Sequence, residues 1–420
     1  MGKAVMPGCE VLGSQIGDSV KQLRRFMDRF APCFRRRDTA ANAELVVSGL
    51  LSNVPKKSLE PIAEFHGVHR RAIQYFVGAA PWDDDLVTET LRRQISDTWG
   101  DPDGLIVIDP STFPKQGRDS VGVARQWCGR LGKVDNCQKG VYAAYVTPRG
   151  SALVDRQLYL PEEWVNDPER RDQCHVPNDL EFRTSWEIGA ELVDRCRDLP
   201  HRFVVADDEF GRATAFRDLL ADWGEQYLLN VPSNTLVRRR GGKWMQATKW
   251  AKSKGAGSWY RCHLRDGARG PVYVWAIAAD VQTKRAGRVG PWERLLVTKT
   301  MEARLKISFS LTNASRKEVP LGELVRVAGG RYEIEEVFSR AKGEAGLADY
   351  ELRSWIGWQH HMTLCMVALW FLELEKERLG GKKPRHHTAP SGLRREGTGS
   401  RPRPRSRRAC QEDHSATLEG

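Results

Sequence analysis

The chain has 420 residues, is 40% hydrophobic and 29% charged, and carries a formal net charge of +12. These proportions fit a soluble globular protein of one to three domains and exclude a membrane-embedded or low-complexity chain. The positive excess points to a polyanionic partner, but twelve Lys/Arg against two Glu between Lys376 and Ala409 supply +10 of it and leave the remainder at +2.

Nine cysteines, an odd number with no C-x-x-C pair, exclude a zinc ribbon or a thioredoxin-like motif and read as reduced thiols of a cytosolic protein. The start, MGKAVMPGCEVLGSQIGDSVKQL, has no secretory apolar core. The longest apolar stretch, Met362 to Leu372, falls far short of the ~20 residues that span a bilayer. The expectation is a cytoplasmic protein with no membrane partner.

In chain order, residues 1–98 read as a helical region. Within it SLEPIAEFHGVHRRAIQYFVG has apolar residues three and four apart around Gly67, which resembles a helix-turn-helix; the same pattern also suits a small helical bundle. Asp83 in PWDDDLVTETLRRQI is placed to cap the next helix. From Gly104 the period changes. LIVI reads as a short buried strand ending at Asp109, and GVYAAYVTPRGSALVDRQLYLP as two strands joined at Pro148-Arg149-Gly150. SWEIGAELVDRCRD is an amphipathic helix, HRFVVADDEFG a second buried strand ending in acids, and ATAFRDLLADWG a helix stopped at Gly224. Residues 99–225 thus form the first part of an α/β domain. Strands dominate residues 226–313, helices resume at Leu321 within residues 314–375, and residues 376–420, rich in Gly, Pro, Arg and Ser, read as a disordered basic tail.

Three acids stand out: Asp109 and Asp207, each after an apolar run, and Glu335 in RYEIEEVFSRAKGEAGL. With Arg331 at 0° on a helical wheel, Glu335 falls near ~40° and Lys342 near ~20°. Ile334, Phe338, Ala341 and Ala345 form a neighbouring apolar stripe suited to packing on a sheet. Two aspartates and a glutamate are an oxygen donor set for Mg²⁺. Two such ions about 3.5–4 Å apart activate an attacking oxygen and stabilise a leaving one in phosphodiester chemistry, while Arg331 and Lys342 would grip phosphates. By spacing alone each aspartate reads more readily as a turn former than as a ligand. Asp208 and Glu209 read as solvated loop acids or groups supporting the ligands. Near Asp109, ARQWCGRLGKVDNCQKG carries Arg125, Trp127, Arg130, Lys133 and Lys139, a basic stretch with an aromatic that suits DNA backbone contact and base stacking, or else a solvated hairpin face. Lys115, six residues past Asp109, reads as a phosphate contact or a surface lysine. His360 and His361, in an apolar helix, read as core histidines.

The strings IDPSTFPKQGRDSVGVARQWCGRLGKVDNCQKGVYAAYV, FRTSWEIGAELV, VVADDEFG, ISFSLTNA and RYEIEEVFSRAKGEAGLADYELRSWIGWQHHMTL occur in an order and at separations that resemble bacterial insertion-sequence DDE transposases. The resemblance is to the insertion-sequence 701 type within the insertion-sequence 4-like group, and it extends from about Ala41 to Leu374. It implies a ribonuclease-H-like catalytic core with a β-rich insertion, residues 226–313 here, preceded by a helical DNA-binding region. It implies Asp109, Asp207 and Glu335 as catalytic and metal-binding acids, with two Mg²⁺ ions, or Mn²⁺ in their place. The group's Tyr-x2-Arg-x3-Glu-x6-Lys signature fits Arg331, Glu335 and Lys342, but Ala328 stands at the Tyr position. The implied activity is cut-and-paste transposition: strand cleavage at terminal inverted repeats, then transfer into target DNA. The implied assembly is a homodimer on double-stranded DNA, associated with the nucleoid. The alternatives are a catalytically inactive DNA-binding derivative and a ribonuclease-H-like nuclease acting on RNA or branched DNA.

Overall fold

The computed structural model describes residues 13–267, 270–302, 305–380 and 394–395. Five helices come first: α1 (Gly13–Asp28), α2 (Arg37–Leu51), α3 (Leu59–Phe65), α4 (Arg70–Gly78) and α5 (Asp84–Trp99). Asp83 caps α5 as its spacing predicts, Oδ1 accepting from Leu86 N at 2.9 Å. Four strands follow: β1 (Leu105–Pro114), β2 (Ala124–Cys128), β3 (Lys133–Thr147) and β4 (Gly150–Leu158). β3 and β4 turn at Pro148-Arg149 as expected. Then come two short helices, α6 (Glu162–Val165) and α7 (Pro168–Gln173), and α8 (Ser185–Arg195). The start of α8 is set by a capping box in which Thr184 and Glu187 satisfy each other's backbone amides. The chain continues through β5 (Phe203–Ala206), α9 (Asp208–Gly211), α10 (Thr214–Asp222), β6 (Tyr227–Asn230), β7 (Leu236–Arg238), β8 (Met245–Gln246), α11 (Ala247–Lys252), β9 (Tyr260–Gly267), β10 (Gly270–Arg285), β11 (Arg288–Thr300) and β12 (Ile307–Thr312). Two 24-residue helices follow, α12 (Leu321–Glu344) and α13 (Trp355–Arg378).

The protein is mixed α/β around one large mixed sheet. The strand order is β9-β10-β11-β12-β6-β5-β1-β3-β2, with β4 also on β3 and β7 on β10. β1, β5 and β6 run parallel and the other pairs are antiparallel. The division expected at residue 226 falls just before β6, which pairs with β5 and so sits with the parallel strands. The β-rich stretch continues the same sheet through the β12–β6 pairing. Its outer part keeps a small core of its own, with Trp250, Trp259, Val281, Leu295 and Phe309 buried together.

α13 is buried almost all round, which marks a helix enclosed by its own protein. Trp370 meets Trp99 edge-on at 4.8 Å between centroids, and His360 stacks on Trp82 at 3.7 Å. His360 also bonds the carbonyls of Val77 and Trp82, and His361 that of Gly346. Burial holds both rings well below the usual histidine range, at about 4, so both are the expected core histidines. α13 thereby ties the N-terminal helices to the sheet. Among the described residues no helix is long and apolar enough to cross a membrane, and the seven described cysteines are free and buried. α13 runs to Arg378, so the first residues of the stretch expected as a tail from residue 376 are helical. Arg394–Arg395 pair with Arg261 and Tyr260, and the rest of the tail lies outside the described residues.

Candidate active site

Asp109 does not end its strand. β1 continues to Pro114 against β3, with Asp109 opposite Tyr142. What ends there is the parallel pairing with β5, whose last register pair is Ile108 with Ala206. The apolar run LIVI marks where β1 is buried on both faces, and pairing with β3 carries the strand further through residues that look polar in sequence. The next residues on each side are Asp109 and Asp207, on strands about 4.8 Å apart. Asp207 caps α9, its Oδ1 accepting from Glu209 N at 2.9 Å, so the turn fixes its carboxylate.

α12 brings the third acid. Its glycines let it lie close between two strands: a Cβ on Gly330 would stand 2.2 Å from Leu105 Cδ1, and one on Gly329 would stand 2.1 Å from the Leu264 carbonyl oxygen. Ile334, Phe338, Ala341 and Ala345 are buried, as the wheel predicts, and Phe338 meets Tyr142 edge-on. Arg331 then reaches down to the sheet. Its guanidinium is 4.0 Å from Asp109 Oδ1 and 3.1 Å from Glu335 Oε1, so the two acids share one counterion. Ala328, where the signature has Tyr, is half-buried against the core.

The electrostatics follow from crowding. Burial, then the charge of Asp207, pushes the Asp109 carboxyl up to about 8, against the pull of Arg331, with Glu335 and Glu209 adding to the rise. Asp207 is also raised, by burial first and by Glu209 next. Among the described residues no three His, Cys, Asp or Glu side chains form a ready-made metal cluster. Asp109 and Asp207 directly follow the last paired residues of neighbouring strands, Arg331 links Glu335 to Asp109, and all three acids offer carboxylate oxygens, the kind hard divalent cations take.

Two further groups belong to this neighbourhood. Glu209 faces the acids and is ion-paired with Lys139, whose Nζ also donates to Ser185 Oγ at 2.9 Å. Lys139 sits in β3 opposite Thr112, three residues along β1 from Asp109. Lys139 was legible in sequence as the last cation of the basic stretch that follows Asp109, but not as the partner of Glu209. Asp208 turns outward to Arg212.

The other expected contacts divide. Lys342 lies over the Phe113 ring at 5.3 Å, and its pKa is lowered by burial and by nearby Arg130. Arg125, Trp127, Arg130 and Lys133 all project from the β2–β3 hairpin into solvent, with Trp127 62% exposed and Lys133 paired to Asp135. Lys115 is not aimed at the acids. It stands six residues beyond Asp109, roughly 20 Å along an extended strand, with Nζ on the Tyr350 carbonyl at 3.0 Å and 3.4 Å from that ring's centroid. Burial lowers its pKa to about 8.

Several known proteins are similar to this chain. A solved piggyBac transposase synaptic complex with hairpin DNA is 12% identical, covers 87% of this chain and 74% of its own, and superposes at a TM-score of 0.41. The NurA nuclease from Sulfolobus solfataricus is 10% identical over 58% of this chain and 86% of its own, at 0.27. Both likenesses are loose. The probable transposase for insertion sequence element IS701 of Microchaete diplosiphon is 26% identical over 245 residues, 55% of this chain and 61% of that relative's length. Residues 29–294, a stretch holding Asp109 and Asp207, match the family described as DDE superfamily endonuclease, and the chain belongs to that endonuclease family.

Proposed function

We propose that this protein is a DDE transposase with a ribonuclease-H-like core. It would cut DNA at the terminal inverted repeats of its element and transfer the freed 3′ ends into target DNA. What supports this reading is that Asp109 and Asp207 directly follow the paired Ile108 and Ala206, that the charges of Asp207 and Glu335 both bear on Asp109, and that Arg331 lies between Asp109 and Glu335. Asp109, Asp207 and Glu335 would hold Mg²⁺ or Mn²⁺. Held there, the ions would supply the Lewis acidity that activates an attacking oxygen and steadies a leaving one. Arg331, released from its carboxylate partners, is placed to neutralise the scissile phosphate, and Lys342 to hold a phosphate farther along the same helix. Lys139 keeps Glu209 oriented beside Asp207. Arg125, Arg130, Lys133 and exposed Trp127 would take the backbone and an unpaired base of the flanking strand. Lys115 serves the β1–Tyr350 junction instead. The helices of residues 13–99 bind duplex DNA, and two copies bring two ends together.

The test is cleavage of a duplex bearing the element's own repeats with Mg²⁺, comparing the parent chain with Asp109→Ala. Cutting at the repeat boundary by the parent alone is the expected result. Equal cutting by both removes the acids from the reaction, and binding without cutting under any divalent ion marks a DNA-binding derivative.

A further inference from the structure

β10 and β11 pair with Asp280 opposite Arg294 and Gln282 opposite Trp292. Side chains alternate along a strand, so Trp292 and Arg294 share one face of the sheet and Glu293 takes the other. The Glu293 carboxylate is buried there. It accepts from Arg217 Nε at 3.1 Å, the Tyr227 hydroxyl at 2.7 Å and Thr283 Oγ1 at 2.7 Å, with Arg285 Nη2 3.1 Å away. Arg294 is buried on the opposite face and donates to the Val319 carbonyl at 2.6 Å. The Ser315 and Glu318 side chains accept from each other's backbone amides. Together these bonds fix the loop that runs from β12 into α12.

That loop walls a recess of about 550 Å³, a volume in the range of small-molecule sites. Arg316 and Lys317 line it from the loop, Arg239 and Arg240 from the turn after β7, and Arg294, Asp280 and Trp292 from the sheet. Arg239, Arg240, Arg316 and Lys317 are exposed, and so is Trp292, by 47%. Five cations thus stand against one exposed acid, Asp280, because Glu293 is neutralised from behind. The crowding is felt: burial, then the charge of Arg316, lowers the Arg294 guanidinium, and Asp280 offsets this only in part. An anion relieves cations packed this way. The recess is not the acid site. Asn313 at its lip accepts from Tyr227 N at the start of β6, whereas Asp109 and Asp207 follow the other end of the parallel strands.

We propose that this recess binds a nucleoside phosphate, its base stacked on Trp292 and its phosphates held by Arg239, Arg240, Arg316 and Lys317. Guanidinium forks match phosphate oxygens, and an exposed indole stacks any base without reading its edge. A free nucleoside triphosphate and a single strand of DNA carry the same chemistry, and the test separates them. The inference depends neither on the acids nor on strand cleavage. An occupant would touch the loop that leads directly into α12, the helix that carries Arg331 and Glu335.

The test is calorimetric titration of the full chain in EDTA, which keeps divalent ions off the acids. The probes are adenosine triphosphate, inorganic tripolyphosphate and a short single-stranded DNA. Arg316→Glu is expected to weaken every probe that the parent binds by roughly 10- to 150-fold. Trp292→Ala weakens adenosine triphosphate and DNA by roughly 5- to 150-fold and leaves tripolyphosphate at its parent affinity. Both side chains are exposed, so the variants melt with the parent. The double variant Arg125→Ala, Arg130→Ala, on the hairpin near the acids, binds adenosine triphosphate as the parent does. Tighter binding of the triphosphate than of DNA identifies a free nucleotide as the occupant, and the reverse identifies a strand. A parent that binds neither saturably overturns the proposal, as do recess variants that bind both as the parent does. Equal loss of tripolyphosphate and adenosine triphosphate in Trp292→Ala also overturns it, because no base is then stacked there. No cleavage is read, so a chain that binds here and never cuts DNA refutes the transposase reading alone. One that cuts and binds nothing here refutes this inference alone.

Discussion

Replacing Asp109 by asparagine isolates the cost of crowding carboxylates at the sheet opening. In the folded chain this carboxyl sits at about 8 against an ordinary 3.8. Between those values the folded state holds a proton that the unfolded state has released, so stability falls as pH rises. The contribution is fully present below the unfolded value and is lost as pH passes the folded one. The slope is about 1.4 kcal/mol per pH unit, tapering as pH reaches 8, which gives a loss of about 2 kcal/mol between pH 6 and pH 8. The amide of the Asp109→Asn variant has no charge to develop there. The assay is urea unfolding in EDTA at pH 6 and pH 8 for both proteins. Other groups titrate as well: His201, raised on balance by its bond to Glu225 although burial opposes, and Lys115, lowered to about 8 by burial, which acts with the opposite sign above pH 8. They are common to both proteins and cancel in the difference. The expected result is a parent midpoint that drops by more than that of Asp109→Asn over this interval. Identical pH profiles would refute the crowding that the site geometry implies.

Further outcomes follow from the same contacts. In EDTA-treated protein, added Mg²⁺ or Mn²⁺ raises the urea midpoint of the parent at pH 8 and leaves that of Asp109→Asn nearly unmoved; equal stabilisation of both places the ion elsewhere. Asp207→Asn and Glu335→Gln abolish strand cleavage while gel-shift affinity for duplex DNA stays within a few fold, and retained cleavage by either removes that acid from the site. Gly211→Ala puts a Cβ 1.9 Å from the Asn230 carbonyl oxygen, directly behind the Asp207 turn, and costs about 1–3 kcal/mol along with activity. Gly343→Ala, in α12 with nothing within 4 Å, gains roughly 0.5–1 kcal/mol; denaturation of the two variants side by side checks the contrast. Lys115→Met leaves DNA affinity at its parent value, and a large loss would restore Lys115 as a phosphate contact.

Local chemistry alone determined much of this protein. Apolar runs located β1 and β5, the capping residue Asp83 set a helix start, and the 3.6-residue period of α12 separated Arg331 and Glu335 from the buried Ile334 and Phe338. Each of these reads burial on one segment, which the side chains of that segment encode. The tertiary structure decided everything that depends on register between distant segments. Asp109 lies within a strand, and not at its end, because β3 outlasts β5 as a partner. The β-rich stretch extends the main sheet because β12 pairs with β6. Lys115 turns to Tyr350, while Lys139, thirty residues past Asp109, arrives beside the acids with Glu209. Hydrophobic period says which face of a strand is covered; only the pairing of whole strands says what stands next to it.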